Sequence, residues 1–295
     1  MFGRLFLEMV FGRLPALPGP GEEVYADEFG ISCGGAITVA AAAREAGATV
    51  GLVTAVGSDL GSRVVEEHCQ SAGIDLGAAR RLDQETCCVS VALNFDGDRA
   101  FVSHCPTGSW RPSERDIAGW ASTVRRERAS WVHLHAGPGV ADVLRAAHRV
   151  GSHTMLDVNL ETIRSQHDDL LECVGLADVF VPNEQELLLF SGAKDVSSGL
   201  ESLPARPRVV VVKRGAKGVV LLDARGVQSE VTAGLVDVKA VDRTGAGDSF
   251  SGAMVGTLAR GGSLQKALEA GNFAGSRAVT RLGGLGRICG TGIFG

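Results

Sequence analysis

Residues 241–256, VDRTGAGDSFSGAMVG, set a carboxylate beside a glycine-rich turn just where a helix is about to start. Gly245 and Gly247 reach backbone angles closed to other residues, so successive N–H groups can point into one concavity. A helix start adds unpaired donors and the positive end of its dipole, a setting for a phosphate or a developing negative charge. Asp248 in that position would compete for the same donors. The conflict resolves if Asp248 faces a hydroxyl as a general base while the amides of Gly245, Ala246 and Gly247 hold a phosphoryl group. A plain helix cap behind a plain turn is the alternative. An isolated GAGD does not choose between them.

Other residues could serve the same chemistry. Asn183 and Glu186, in NEQE, stand three apart at an expected helix start and so share a face. They could orient water on a phosphate-bound Mg²⁺, an ion that keeps several waters; the alternative is a capping box. The run VVVVKRGAKG ends a strand at Lys213 and continues into a loop with Gly215 and Gly218. Gly34 and Gly35 precede AITVAAAAREAG and let backbone approach a ligand closely. His135, Asp157, Asn183, Lys213 and Asp242 all fall at or just beyond the carboxyl ends of expected strands, where open α/β sheets collect ligands.

The elements that must position these residues read as follows. Residues 4–11 form a first strand interrupted by Glu8. Pro15, Pro18 and Pro20 make a rigid loop, and 22–32 alternates as a strand does. An alanine-rich helix over 36–47 is closed by Gly47. A strand at 49–56, a turn at 57–61 and a helix through 72 follow. Residues 87–94 and 99–104 pair as a hairpin around Asp96-Gly97-Asp98, and with 22–32 they make a small antiparallel sheet. From residue 116 strands at 130–135, 154–157, 179–181 and 209–213 alternate with helices at 139–150, 170–176 and 184–191. That rhythm predicts a mostly parallel sheet with helices on both faces. A helix at 264–281 follows the GAGD helix, and the glycine-rich tail 284–295 is expected to be poorly ordered.

Bulk properties narrow the function. The chain has 295 residues, 45% of them hydrophobic, enough for a sizeable core in one large α/β domain or two smaller ones. Its 40 glycines punctuate apolar segments and read as turns and close approaches. A net charge of −5 gives no support to a nucleic-acid surface. No apolar run reaches membrane-spanning length, no signal-peptide core is visible, and no internal repeat is found. Seven cysteines show neither C-x-x-C nor Cys/His ligand spacing. They read as reduced, mostly buried thiols of a cytoplasmic protein, without a zinc site or disulfide framework.

In chain order, GG before an alanine-rich helix, VGSDLG (56–61), NEQE (183–186), VKRGAKG (212–218) and DRTGAGD (242–248) resemble the motifs of the ribokinase (PfkB) family of carbohydrate kinases. The resemblance covers most of the chain. It implies a three-layer α/β/α ribokinase-like fold with a mostly parallel central sheet and a small antiparallel β-sheet lid. Residues 1–9, 35–84 and 107–295 would form the core, and 10–34 and 85–106 the lid. It implies ATP and Mg²⁺, and transfer of the γ-phosphoryl group to a hydroxyl of a sugar or sugar-like acceptor, with Asp248 as base. The acceptor would meet Glu8, Gly34, Gly35, Thr38, His135 and Asp248. ATP would meet Asn183, Lys213, Gly215, Gly218 and Asn272, with Mg²⁺ held through water by Asn183 and Glu186. A monovalent cation, K⁺, would bind Asp242 and the carbonyls of Thr244, Ala278, Arg281 and Gly283. A homodimer through the lid is common in the family; a membrane or nucleic-acid partner is not implied.

Three departures stand out. Glu8 replaces the family's substrate-binding Asp, Thr38 its Asn, and no lysine follows the GG pair. Several apolar residues usually precede the first strand, so a shortened strand or a misassigned start is expected here. The missing lysine disfavours sugar phosphates, although Arg99, His104 and Arg111 near the lid could supply charge; ribose, fructose, a keto-deoxy sugar acid and a nucleoside remain as acceptors. A nucleoside or sugar-acid kinase and a catalytically silent sugar-responsive binding protein are the alternatives within the family. A dinucleotide-dependent oxidoreductase lacks its first-strand G-x-G-x-x-G, and no Walker lysine loop is present.

Overall fold

Near-continuous apolar runs build the central strands, because a strand covered by helices on both faces has no solvent side to mark. The structure, a computed structural model, describes residues 1–95, 98–106, 114–165, 167–232 and 240–285. The chain opens with β1 (Leu5–Leu14) and β2 (Glu28–Gly35), which passes directly into α1 (Ala36–Glu45). β3 (Ala55–Val56) precedes α2 (Leu60–Ala72), capped by Asp59 accepting from the Ser62 N–H and ended by a left-handed Gly73. β4 (Arg80–Arg81) leads to the hairpin β5 (Cys88–Phe95) and β6 (Asp98–His104). Then come α3 (Glu114–Glu127), β7 (Trp131–His135), α4 (Val140–Arg149), β8 (His153–Asp157), α5 (Leu160–Ser165), α6 (His167–Leu176) and β9 (Val179–Phe180). The rest is α7 (Glu184–Ser191), α8 (Val196–Glu201), β10 (Val209–Lys213), β11 (Val219–Leu222), β12 (Gln228–Val231), α9 (Ala246–Ala259) and α10 (Leu264–Ala278).

The larger sheet runs β12-β11-β10-β9-β8-β7, parallel from β7 to β10 and antiparallel at β11 and β12. Phe2 continues it, donating its N–H to the His133 carbonyl at 3.1 Å and bridging Val53 in parallel. The strand period of two divides the side chains between two cores. Leu156, Phe180 and Val212 enter one with Leu144 and Leu170. Met155, Val179 and Val211 enter the other with Ile37, Met254 and Leu268. Helices therefore cover both faces, giving three layers.

The smaller sheet runs β2-β1-β5-β6, antiparallel at its outer pairs with a parallel β1–β5 pair between them. Its strands differ from expectation in detail. β1 continues to Leu14 and, Glu8 included, belongs to this sheet. β2 begins only at Glu28. The strand expected over 49–56 shrinks to β3 plus single bridges at Gly51 and Val53, because the segments beside it are only a residue or two long. α10 ends at Ala278. Residues 96 and 97 of the expected turn, Arg111, and 286–295 of the tail lie outside the described residues.

One reading is overturned. Cys88 and Cys105 stand opposite each other one step beyond the Val89–His104 pair, and their sulfurs are bonded. Cys33, Cys69, Cys87 and Cys173 are free and buried. The pairing arises from hairpin register, which cysteine spacing rules do not address. No helix among the described residues is long and apolar enough to cross a membrane.

Helix α9 lies against α1 almost backbone to backbone. A Cβ on Gly252 would stand 2.3 Å from the Val39 carbonyl oxygen and 2.7 Å from the Ala42 Cβ. The alanine run of α1 is the other half of that contact. Gly252→Ala should therefore lower unfolding free energy by ~1–3 kcal/mol through overpacking. Gly175→Ala, at an exposed position of α6 with open space around it, should raise it by ~0.5–1 kcal/mol. Urea denaturation of both reads the contrast, and equal effects would reject the close-contact argument.

Candidate active site

The glycine turn ends in α9, with Ala246, Gly247 and Asp248 as its first three residues. Gly245 is left-handed at φ 70°, and a Cβ there would lie 2.6 Å from the Gly284 Cα, so both position and contact demand glycine. The Ala246 N–H makes a long 3.4 Å bond to the Arg243 carbonyl, while the N–H groups of Gly247 and Asp248 engage no acceptor among the described residues. These are the donors expected of a helix start built for an anion.

Asp242 fixes the approach to the turn. One oxygen accepts from the Thr244 N–H at 2.9 Å and its hydroxyl at 2.7 Å, and the other from the Gly283 N–H at 2.9 Å. The carboxylate is 3% exposed and is paired with no Arg, Lys or His among the described residues. A buried charge held only by neutral donors fits a bound monovalent cation at this place.

Asp248 faces a cavity of about 360 Å³ shared with His135, Asn159, Glu161, Arg4 and Gly35. Its Oδ1 lies 4.0 Å from the His135 Nε2, and each side chain is about a third exposed, at 30% and 35%. Burial pushes the Asp248 carboxyl above the ordinary range, while His135 and Lys213 pull it back. Behind it lies a buried chain of three groups. His133 Nε2 meets one oxygen of Asp157 at 2.8 Å, and Lys213 Nζ donates to the other at 2.8 Å. Burial alone would raise the Asp157 pKa, but Lys213 and His133 hold it far below the usual carboxylate range. Burial likewise opposes the Lys213 charge, and Asp157 and Glu186 more than offset it. His133, lowered by burial, is neutral, and its Nδ1 has no partner. The Lys213 ammonium comes within 3.4 Å of where a Gly247 Cβ would be, directly under the turn.

Glu8, on β1, and Gly34 are not among the residues that line this cavity. The Glu8 Oε1 occupies the space a Gly34 Cβ would fill, at 2.1 Å, and its Oε2 is buried without a partner. Burial, reinforced by Asp248, pushes its carboxyl up to about 7. Thr38 is wholly buried, packs beneath Gly245 and Gly284, and gives its hydroxyl to the Cys33 carbonyl at 3.5 Å. It supports the turn and does not face the cavity.

Asn183 and Glu186 make the capping box of α7, each side chain accepting from the other's backbone N–H, at 2.9 and 2.7 Å. Burial raises the Glu186 carboxyl, and Lys213 opposes the rise. Asn183 bridges Lys213 across the strand ends, so both sit beside the turn. Gly215 and Gly218 flank a single 3₁₀ turn between β10 and β11. Asn272, buried in α10, donates to the Thr232 carbonyl at 2.7 Å, a structural tie that uses its amide N–H. Ala278 accepts from the Arg281 N–H at 3.2 Å, and Val279 accepts from the Asp242 N–H at 3.2 Å, so the end of α10 lies against the Asp242 segment. Sequence reasoning placed Asp157 at a strand end but gave it no role. It passed over His133 and Asn159 altogether. LDVN, an acid ending a strand two residues before a capping Asn, was the available signal.

Comparison with known proteins agrees with this geometry. The model of the pfkB family carbohydrate kinase matches residues 10–286. An ATP-dependent ribose-1-phosphate kinase of Halopiger xanaduensis is 28% identical over 254 residues, spanning 85% of this chain and 81% of the relative. A ribokinase of Mus musculus is 29% identical over 279 residues, spanning 90% and 84%. The solved structure of Arabidopsis thaliana ribokinase complexed with ribose and ATP shares the fold, with a TM-score of 0.76 at 21% identity, covering 94% and 91% of the two chains.

The two buried acids should respond oppositely to mutation and pH. Glu8 is raised from the ordinary 4.5 to about 7, so between those values the folded protein binds the extra proton. Its contribution is therefore complete below about pH 4.5 and lost as the pH climbs toward 7. Glu8→Gln should flatten that slope and stabilise the protein above pH 7, by at most ~3 kcal/mol. Asp157 is depressed, so its contribution is present above the ordinary carboxyl value and disappears on acidification. Asp157→Asn strands Lys213 and should cost ~3–5 kcal/mol at neutral pH. Denaturant titrations from pH 2 to 8 read both, the Glu8 slope above pH 4.5 and the Asp157 loss below the ordinary 3.8; a stabilised Asp157→Asn protein would sink the charge assignment.

Proposed function

The chain belongs to the pfkB family of carbohydrate kinases, and from that membership we propose that it moves the γ-phosphoryl group of ATP to a hydroxyl of a sugar or sugar-like acceptor. The observation that carries this reading is Asp248, raised by burial and open to a cavity, on the same helical turn as two unpartnered N–H groups. Asp248 takes the proton of the acceptor hydroxyl, aided by His135 on the opposite wall. The Gly245, Ala246, Gly247 and Asp248 amides hold the charge of the moving phosphoryl group. Lys213 beneath them adds a positive field. Magnesium, held through water by Glu186 and Asn183, would offset the phosphate charges. Glu186 suits that role, since its bond to the Asn183 N–H uses Oε2 and leaves Oε1 for water. K⁺ at Asp242 would stiffen the turn by neutralising a carboxylate that no side chain neutralises.

Gly35 and His135 would line the acceptor side; Gly215 and Gly218 the nucleotide side. Asn272 acts there by tethering the strand end at Thr232. Residues 10–34 and 85–106, with the start of β1, form the lid that excludes water during transfer. Relatives named for ribose 1-phosphate and ribose put pentoses at the head of the acceptor panel.

The lid also supports a dimer. Register places Met9, Phe11, Phe29, Ile31, Val91, Leu93, Ala100 and Val102 on one face, and Phe29 and Val102 are 47% and 66% exposed. A mainly apolar sheet face with large side chains open to water suits a pairing surface.

Two measurements test this. Asp248→Asn should keep the fold and ATP binding yet lose at least ~10²-fold in turnover, read by ATP consumption on a panel of sugars and nucleosides with and without K⁺; wild-type turnover in that variant refutes the assignment. Sedimentation should show a dimer that Phe29→Asp with Val102→Asp converts to monomer.

A further inference from the structure

We propose that a second cavity, adjoining the acceptor cleft, is an anion subsite that selects acceptors carrying a phosphate or carboxylate away from the reacting hydroxyl. The inference rests on the kinase reading above and extends it to the class of acceptor. This cavity, of about 370 Å³, lies between the β3 and β4 segments and α3, and shares Gly3, Arg4 and Trp120 with the cleft that holds Asp248.

The charges of the two spaces are segregated. Asp248 and Glu161 line the first. Arg80 and Arg115 line the second, opposed there by Asp116 alone, and Arg4 stands in the shared wall. Asp116 is committed to Arg80 in an ion pair. Arg4 feels Glu161 from the other side. The Arg115 guanidinium is left without a carboxylate to balance it among the lining residues, and Gln84 beside it adds an amide. Guanidinium groups present a planar fork of donors that matches carboxylate and phosphate oxygens, with a preference a lysine cannot reproduce. A molecule spanning both spaces would set a hydroxyl before Asp248 and an anion among the arginines. The reverse orientation would bring the anion onto two carboxylates, so the segregation also fixes which end reacts.

The missing lysine after Gly34-Gly35 is consistent with this placement. An acceptor anion has a cationic site here from another part of the chain, on α3 and the β4 strand.

The test compares ribose, ribose 1-phosphate, ribose 5-phosphate and ribonate as acceptors in an ATP-consumption assay on the full chain. For wild type, kcat/KM for at least one anionic pentose should exceed that for ribose tenfold or more. Arg115→Gln should reduce that ratio at least tenfold, mostly through KM, and Arg115→Lys should restore only part of it. Ribose matching or exceeding all three anionic pentoses, or a ratio unchanged in Arg115→Gln, overturns the proposal while the kinase reading stands. If no acceptor consumes ATP, the kinase reading fails instead. The subsite is then judged by thermal unfolding with inorganic phosphate, which should raise the wild-type midpoint and leave the Arg80→Gln/Arg115→Gln double variant unmoved; no shift in wild type overturns it too. Arg115 is an exposed residue of α3, so its substitution leaves the cores intact.

Discussion

The site is governed by a scarcity of positive charge. Glu8, Asp157, Glu186 and Asp248 lie within electrostatic reach of one another or of Lys213, the cation that Asp157, Glu186 and Asp248 share. One ammonium cannot satisfy them equally, and geometry decides the allotment. Asp157 takes it at 2.8 Å and stays ionised. Glu8, without a cation, drifts toward neutrality, and burial raises Asp248 against the pull of His135 and Lys213. Asp242 has only N–H and O–H donors around it among the described residues. Chemically similar acids are thus sorted into different states by burial and distance alone. A substrate bringing phosphates to such a place must come with its own counterions, and this is why metal and monovalent cation enter the proposed reaction.

Much of this was legible in the sequence. GAGD before an apolar helix told of a left-handed glycine leading into a helix start, and the alternation of strands and helices from residue 116 told of the layers, because both depend on local periodicity and on glycine's steric freedom. What escaped was set by partners far apart in the chain. Lys213 was assigned to the nucleotide, yet its ammonium points at Asp157, 56 residues earlier. Thr38 sits in the right helix but packs under the turn instead of opening into the cleft. Cys88 and Cys105 seemed unrelated by spacing, although the hairpin, had its register been counted one pair further, sets them face to face. β1 showed a single polar interruption at Glu8, and nothing local could say that this residue would end up over Gly34. The arginine-lined cavity joins pieces of the first, third and fourth strands with α3, a combination no motif describes.

Rigidity at the glycine turn comes from missing side chains. Below, Gly252 brings α9 onto the α1 backbone; above, Gly245 meets Gly284. The helix start is clamped from two directions before any ligand arrives, so its free N–H groups need no rearrangement to receive charge. The same economy explains the run of four alanines, Ala40 to Ala43, in α1: a larger residue at the contact would lift α9, and with it Asp248.

Gly283 and Leu285 donate their backbone N–H groups to Asp242 and to the Ser32 hydroxyl. Two backbone N–H groups near the distal end of the described chain thereby tie together the glycine turn and strand β2. Anyone trimming the polypeptide for crystallisation, or appending an affinity tag, should leave this strap whole: cutting back into it would loosen parts that lie more than two hundred residues apart.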